Sequence, residues 1–194
     1  MKANRWTGLS VSLYFLVVLG IHPAEADGLR RVVSRGKPAT LMGDALQVGK
    51  ALPEAVLPDN SLTLVDLKSL RGKVTIVSVV PSLDTPTCEK QTHILSEENG
   101  GLDRTANLVT ISRDLPFAQK RFSKEAKIGN VLFLSDYRDA SFGKAAGLSI
   151  EENRLLARAI IVLDKEGVVR YLEAVPDLGQ LPKMKEAFDF AKSL

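Results

Sequence analysis

The sequence predicts an α/β domain whose central sheet is mixed and flanked by helices. Three observations lead to this prediction. Two apolar, β-branched runs at 74–80 and 106–111 are separated by a helical segment, which is the pattern of a βαβ unit with parallel strands. Two further β-rich runs at 159–163 and 168–172 are joined by a short turn, which predicts an antiparallel hairpin. Apolar residues at helical spacing then predict a carboxyl-terminal helix laid on the sheet.

Length and composition indicate one globular domain. The chain has 194 residues, of which 45% are hydrophobic and 25% are charged, enough for one well-buried core. Positive and negative charges are interspersed and the formal net charge is only +3, so we expect no nucleic-acid partner.

The amino terminus has the three parts of a secretory signal peptide. Lys2 and Arg5 precede an apolar segment at 9–21, and Ala24 and Ala26 are the small residues that a signal peptidase reads. The apolar segment is shorter than the roughly 20 residues of a membrane span. We therefore expect cleavage after Ala26, export to the periplasm or the medium, and no stable membrane insertion.

The remaining residues, 27–194, are predicted to form the one domain. It is expected to begin with a hairpin at 29–33 and 38–42, an irregular segment at 43–58, a short strand at 62–65 and a helical turn at 67–70. The strand at 74–80, a helix at 89–98 and the strand at 106–111 follow, and then a helix at 114–123 capped by Asp114. A strand at 131–134, a helix at 140–146, the second hairpin and the final helix complete the domain. This order is that of a thioredoxin-like domain with an added amino-terminal β-hairpin.

The only cysteine of the chain, Cys88, is predicted to lie in the first turn of the helix that follows the strand at 74–80. Open α/β sheets bind their ligands at the carboxyl ends of strands, where free N–H groups and the helix dipole favour an anion. For a cysteine that anion is its own thiolate, although a nearby cation is also needed to hold the charge. A lone cysteine can equally be a small buried hydrophobe.

The surrounding residues favour the reactive interpretation. Pro81, Thr85 and Cys88 form the pattern Pro-x-x-x-Thr-x-x-Cys, which resembles the active-site motif of peroxiredoxins. By that resemblance Cys88 is the peroxidatic nucleophile, Thr85 hydrogen-bonds the thiolate and the peroxide, and Pro81 shields the site from water.

Arg158 is the candidate cation, because it immediately precedes the buried strand at 159–163 and a partly desolvated arginine needs an anionic partner. The stretch at 155–162 and the string Asp-Leu-Pro-Phe-Ala-Gln at 114–119 resemble the thiol peroxidase subfamily of peroxiredoxins. That resemblance implies that Arg158 is an active-site residue. It also implies a homodimer.

One position departs from the subfamily. Ser123 stands where those proteins usually carry the resolving cysteine, which closes an intramolecular disulfide with the oxidised peroxidatic cysteine. We therefore expect a one-cysteine enzyme that an external thiol regenerates, either a thioredoxin-like protein or a small thiol.

Other residues give no sign of a cofactor or metal. His93 is expected to decorate the same helix as Cys88, with no carboxylate placed to orient it. No group of histidine, cysteine and carboxylate residues has metal-ligand spacing, and no glycine-rich phosphate loop is present.

The expected function is thus the reduction of hydrogen peroxide and alkyl hydroperoxides by Cys88. Two alternatives stay open: a redox-sensing or thiol-exchange protein, and a catalytically inert exported binding protein. The absence of a Cys-x-x-Cys motif disfavours thiol exchange, and fast oxidation of Cys88 by equimolar peroxide separates the enzyme from both alternatives.

Overall fold

The computed structural model describes residues 31–194. The predicted signal peptide at 1–26 lies outside the described residues. Within 31–194, no helix is both long and apolar enough to cross a membrane.

A five-stranded mixed sheet forms the centre of the domain. Its strands, in spatial order, are β10 (Val169–Ala174), β9 (Ala159–Leu163), β5 (Thr75–Val79), β6 (Asn107–Ser112) and β7 (Leu132–Ser135). The strands β5, β6 and β7 are parallel, and β9 runs antiparallel to both β5 and β10. The predicted βαβ unit and the second hairpin are therefore confirmed.

The amino-terminal hairpin is also confirmed, and its sheet is larger than predicted. Strands β1 (Arg31–Ser34) and β2 (Lys37–Met42) pair antiparallel, and a two-residue strand β8 (Ser149–Ile150), which the sequence did not indicate, pairs with β2. A third small sheet joins β3 (Val56–Pro58) to β4 (Leu64–Asp66). The expectation that 43–58 is wholly irregular is wrong at its end, because Val56–Pro58 is held by main-chain pairing with β4.

Four α-helices accompany the sheets: α1 (Pro86–Glu97), α2 (Pro116–Glu125), α3 (Ser141–Ala145) and α4 (Met184–Ala191). A 3₁₀ helix at Leu67–Leu70 matches the predicted helical turn. The helix at Pro116 begins two residues later than expected, with Leu115 rather than Asp114 at its cap and no side-chain capping bond. The predicted cap was wrong because the carboxylate of Asp114 has other partners, described below.

The central sheet has a hydrophobic core on each of its faces. Alternation along β5 sends Val77 and Val79 to one core and Ile76 to the other, as the period of two in a strand requires. The second core also contains Cys88 of α1 together with Met184 and other residues of α4. The cysteine therefore lies at the carboxyl end of the parallel strands, between the sheet and its helices.

Candidate active site

The start of α1 places Cys88. Thr85 is the N-cap, with the extended backbone angles φ −129° and ψ 142°, and Pro86 occupies the first turn, where its missing N–H is not needed. Cys88 follows within that turn, where backbone N–H groups lack helical acceptors and the helix dipole is positive. The predicted first-turn position of Cys88 agrees with the structure, and its side chain is fully buried.

Arg158 reaches the cysteine from the neighbouring strand. It directly precedes β9, which pairs with β5, the strand that leads into the loop before α1. Its Nη2 atom donates to Cys88 Sγ at 3.4 Å. The arginine itself is only 2% exposed. The structure thus brings together the two residues that the sequence singled out as nucleophile and cation.

The remaining donors of Arg158 hold the guanidinium in place. Nε and Nη2 both donate to the carbonyl oxygen of Leu178, at 3.0 and 2.9 Å, and Nη1 donates to Gln91 Oε1 at 2.8 Å. None of the ion pairs among residues 31–194 includes Arg158. The guanidinium is therefore a buried cation without a carboxylate partner that lies directly beside the Cys88 sulfur.

Gln91 is a site residue that the sequence analysis missed. It is fully buried, and its Nε2 donates to Ser78 Oγ at 2.8 Å and to the Ala159 carbonyl at 3.3 Å, while its oxygen accepts from Arg158. This amide therefore fixes the guanidinium relative to β5 and β9. The available signal was its spacing, because a residue three positions after Cys88 lies on the same helix face.

Thr85 and Pro81 lie where the motif places them, in the loop between β5 and α1. Pro81 is buried directly after the strand. The hydroxyl of Thr85 donates to the carbonyl oxygen of Ser82 at 3.0 Å, and no described hydrogen bond joins it to Cys88. Donation from this hydroxyl to the sulfur or to a peroxide therefore requires it to rotate away from Ser82.

Asp114 holds the same loop from the side of β6. Its carboxylate accepts from Ser82 Oγ at 2.7 Å, from the Leu83 backbone N–H at 2.8 Å and from Ser112 Oγ at 2.7 Å. Gln119 Nε2 in turn donates to Ser112 Oγ at 3.0 Å. The residues at 114–119 thus form hydrogen bonds that hold the loop that carries Thr85, and Asp114 does not cap the helix.

A cleft of about 400 Å³ opens beside the amino-terminal end of α1. It is lined by the following residues: Leu83, Asp84, Thr85, Pro86, Glu89, Phe122, Glu125 and Ala126. Cys88 is not part of this lining and has no exposed surface. A molecule in the cleft would therefore lie next to the loop, and its access to the sulfur requires the loop or the first turn of α1 to move.

Ser123 and His93 lie outside the hydrogen-bond network of Cys88. Ser123, on α2, donates its hydroxyl to the Lys120 carbonyl at 3.0 Å. His93 Nδ1 lies 2.6 Å from Glu97 Oε1, so the expectation that no carboxylate orients this ring was wrong. The contact follows from the i, i+4 spacing on α1 and does not involve the sulfur. Across residues 31–194, no group of three or more His, Cys, Asp or Glu side chains could hold a metal ion.

Comparison with known proteins identifies relatives of the whole domain. Residues 47–188 match the Redoxin family model. The chain is 43% identical over 166 residues to the thiol peroxidase of Bacillus subtilis, covering 86% of this chain and 99% of that protein. It is also 43% identical over 162 residues to the thiol peroxidase of Halalkalibacterium halodurans, covering 84% and 97% of the two chains.

A solved structure agrees with these sequence matches. The peroxiredoxin-like protein from Aquifex aeolicus superposes with a TM-score of 0.79 at 37% identity, covering 85% of this chain and 97% of that one. The predicted thioredoxin-like, peroxiredoxin type of fold is therefore confirmed. The chain belongs to the Redoxin family, in the thiol peroxidase subfamily of the peroxiredoxins, and with Cys88 as its only cysteine it lacks the usual resolving cysteine.

Proposed function

We propose that this protein is a one-cysteine thiol peroxidase, which reduces hydrogen peroxide and alkyl hydroperoxides through Cys88 and is recycled by an external thiol. The observation that carries the proposal is the contact of 3.4 Å between Arg158 Nη2 and Cys88 Sγ at the amino-terminal turn of α1. The curated relatives over most of the chain are thiol peroxidases, which supports the same activity.

The chemical step is a two-electron oxidation of sulfur. The Cys88 thiolate attacks the terminal oxygen of the hydroperoxide, so that an S–O bond forms while the O–O bond breaks. Negative charge moves from sulfur to the leaving oxygen, which takes up a proton and departs as water or alcohol. The guanidinium of Arg158 and the free N–H groups of the first helical turn stabilise charge on both atoms without reorganising.

Arg158 can perform this role because its orientation is fixed before substrate arrives. Its bonds to Leu178 and Gln91 use one N–H group on each of its three nitrogen atoms and leave the second N–H of Nη2 directed at the sulfur. Thr85 would donate to the peroxide after its hydroxyl leaves the Ser82 carbonyl, and the buried Pro81 would limit the access of water.

Recycling needs a thiol from outside the chain, because a protein with one cysteine cannot form an internal disulfide. One external thiol condenses with the sulfenic acid to give a mixed disulfide and water. A second thiol then reduces that disulfide, which restores Cys88 and releases an oxidised reductant. A thioredoxin-like protein or a small thiol fits this role.

The proposal includes the localisation and the oligomeric state of the enzyme. The amino-terminal pattern at 1–26 supports export, and the subfamily supports a homodimer. Mass spectrometry of the mature amino terminus and analytical ultracentrifugation test these two points directly.

The decisive experiment is an anaerobic titration of the purified protein with one equivalent of hydrogen peroxide or of an alkyl hydroperoxide. Oxidised Cys88 is trapped with a sulfenic-acid reagent and weighed by mass spectrometry. We expect rapid, stoichiometric labelling and no labelling of Cys88→Ser. A thiol that stays reduced during exposure to equimolar peroxide would exclude the enzyme and favour an inert relative.

A further inference from the structure

A second pocket of about 330 Å³ lies on the same edge of the central sheet as the cysteine site and shares no residue with that site. Arg113 follows the carboxyl end of β6, and Arg138 follows the carboxyl end of β7. The region beyond the carboxyl ends of parallel strands is where open α/β sheets bind their ligands. The complete lining is Met42, Arg113, Arg138, Asp139, Ala140, Lys144, Ser149 and Arg154.

Cations dominate this lining. Four of its eight residues carry a positive charge, and Asp139 is its one carboxylate. Within residues 31–194, none of the four cations takes part in an ion pair. Like charges that share a pocket repel one another unless an anion lies between them. The pocket is therefore electrostatically suited to a ligand of negative charge.

Tyr137 orders two of these side chains. Its carbonyl oxygen accepts from Arg113 Nη2 at 3.1 Å, and its phenol oxygen accepts from Arg138 Nε at 3.2 Å. Both partners are neutral, so the guanidinium groups keep their full charge while part of their rotational freedom is already lost. Preorganised guanidinium groups bind phosphate and carboxylate groups through paired N–H donors.

A buried hydroxyl in the lining supports a ligand independently of the charges. Ser149 is fully buried, and its Oγ is one of three buried side-chain oxygen or nitrogen atoms within residues 31–194 that have no hydrogen-bond partner. A buried hydroxyl without a partner costs free energy, so native structures normally satisfy it. Because this oxygen has no exposed surface in the unliganded protein, an anionic oxygen in the pocket supplies the missing acceptor when the wall at Ser149 moves.

We propose that this pocket binds a compact polyanion, a molecule with at least two phosphate or carboxylate charges, through Arg113, Arg138, Lys144 and Arg154 and through the hydroxyl of Ser149. Two or more charges suit the pocket because the four cations of its lining exceed its single carboxylate by three, and the buried Asp136 carboxylate, which interacts with Arg113, offsets at most one of them. Free phosphate compounds and polycarboxylates share this chemistry, and the pocket volume limits both to small molecules.

Isothermal titration calorimetry of the full chain at constant ionic strength tests the proposal, with inorganic pyrophosphate and citrate as probes and chloride as the monovalent comparison. We expect one saturable site for pyrophosphate, for citrate or for both. The probe that binds with the higher affinity identifies the class of anion. Heat that does not saturate, or equal behaviour with chloride, would overturn the proposal. Closure of the pocket by a second copy of the chain would also give no saturable heat and overturn it.

Matched variants locate the site. Arg138→Gln and Arg154→Gln remove exposed cations, and each is expected to weaken binding about fivefold to tenfold. Arg104→Gln removes an exposed arginine outside the pocket and is expected to leave the affinity unchanged. Equal weakening by all three variants would show non-specific attraction and contradict the site.

Ser149→Ala tests the contribution of the hydroxyl to binding separately from that of the four cations. If the hydroxyl binds the anion, the variant loses affinity while the unliganded protein is no less stable, because a group without a partner has been removed. An unchanged affinity would remove Ser149 from the site. Thermal unfolding of the unliganded variants shows that each one is folded.

Discussion

The guanidinium of Arg158 touches the Cys88 sulfur although the two residues are 70 positions apart in the sequence. Two features of the fold produce this contact. The strand β9 pairs directly with β5, and α1 returns across the same end of the sheet. Every other bond of the guanidinium goes to a neutral acceptor, so among the described residues no carboxylate hydrogen-bonded to it competes with the sulfur for its charge.

Replacement of Arg158 by methionine should therefore slow the oxidation of Cys88. Loss of one preorganised charged donor typically costs a factor of about 10² to 10³ in rate. The measurement is the second-order rate of sulfenic acid formation in a single turnover with hydrogen peroxide. An unchanged rate would remove Arg158 from the catalytic machinery.

Arg158→Lys is the matched control for this variant. It keeps the charge but cannot make the paired bonds to Leu178 and Gln91, so we expect a rate between those of the wild type and the methionine variant. Thermal unfolding of both variants is needed, because the Leu178 carbonyl and the Gln91 amide lose their donor and each unsatisfied group costs about 1–3 kcal/mol.

Gln91 should act as a positioning residue through Arg158. Gln91→Leu leaves Arg158 Nη1 without an acceptor, and we expect the rate of peroxide reduction to fall about tenfold. Gln91→Glu keeps an oxygen for Nη1 but places a carboxylate against the guanidinium, which competes with the sulfur for its positive charge, so the rate should stay low. The measurements are single-turnover kinetics with hydrogen peroxide and thermal unfolding of each variant. A wild-type rate in Gln91→Glu would contradict a role for the charge of Arg158 at the sulfur, and a wild-type rate in Gln91→Leu would remove Gln91 from the site.

The sequence was sufficient to single out Cys88 and Arg158, which the structure places in contact. Arg158 directly precedes a strongly apolar, β-branched run, and Cys88 lies in the first turn of the helix that follows another such run, so their places follow from local pattern, while their roles were implied by the resemblance to peroxiredoxins. Gln91 and Asp114 could not be assigned in the same way. Whether a polar side chain points inward, and which donors it meets there, depends on elements that are distant in sequence.

The failure to predict two short strands also has a physical reason. The strands Val56–Pro58 and Ser149–Ile150 have three and two residues, too few for any period of two to be visible. Each is held by hydrogen bonds to a partner strand rather than by its own propensity. The longer elements, with a full apolar stripe or run, were predicted correctly in type and order.

Tyr171 provides a prediction about stability at high pH. Burial and then the neighbouring charge of Glu173 raise the pKa of Tyr171 from its usual 10.0 to about 12. Because the folded-state pKa lies above the unfolded value, the protonated phenol stabilises the fold fully below pH 10.0, and this contribution is lost as the pH rises to about 12. Urea unfolding between these two values should show a loss of stability in the wild type that is smaller in Tyr171→Phe. An identical loss of unfolding free energy with pH in the two proteins would contradict the role of the Tyr171 phenol.

Asp114 should control how tightly the loop that carries Thr85 is held. Asp114→Ala removes the acceptor of the Leu83 N–H and of two serine hydroxyls, so the amide hydrogen of Leu83 should exchange faster and the protein should lose about 1–3 kcal/mol of stability. Because the buried sulfur is reached only when this region moves, the sulfenic acid should be reduced faster by an external thiol. The reaction with peroxide should be slower, because displacement of the loop also displaces Thr85. Asp189→Ala, which removes an exposed carboxylate on α4, serves as the control and should leave Leu83 exchange and both rates unchanged. Unaltered exchange at Leu83 in Asp114→Ala would show that the loop is held by other contacts.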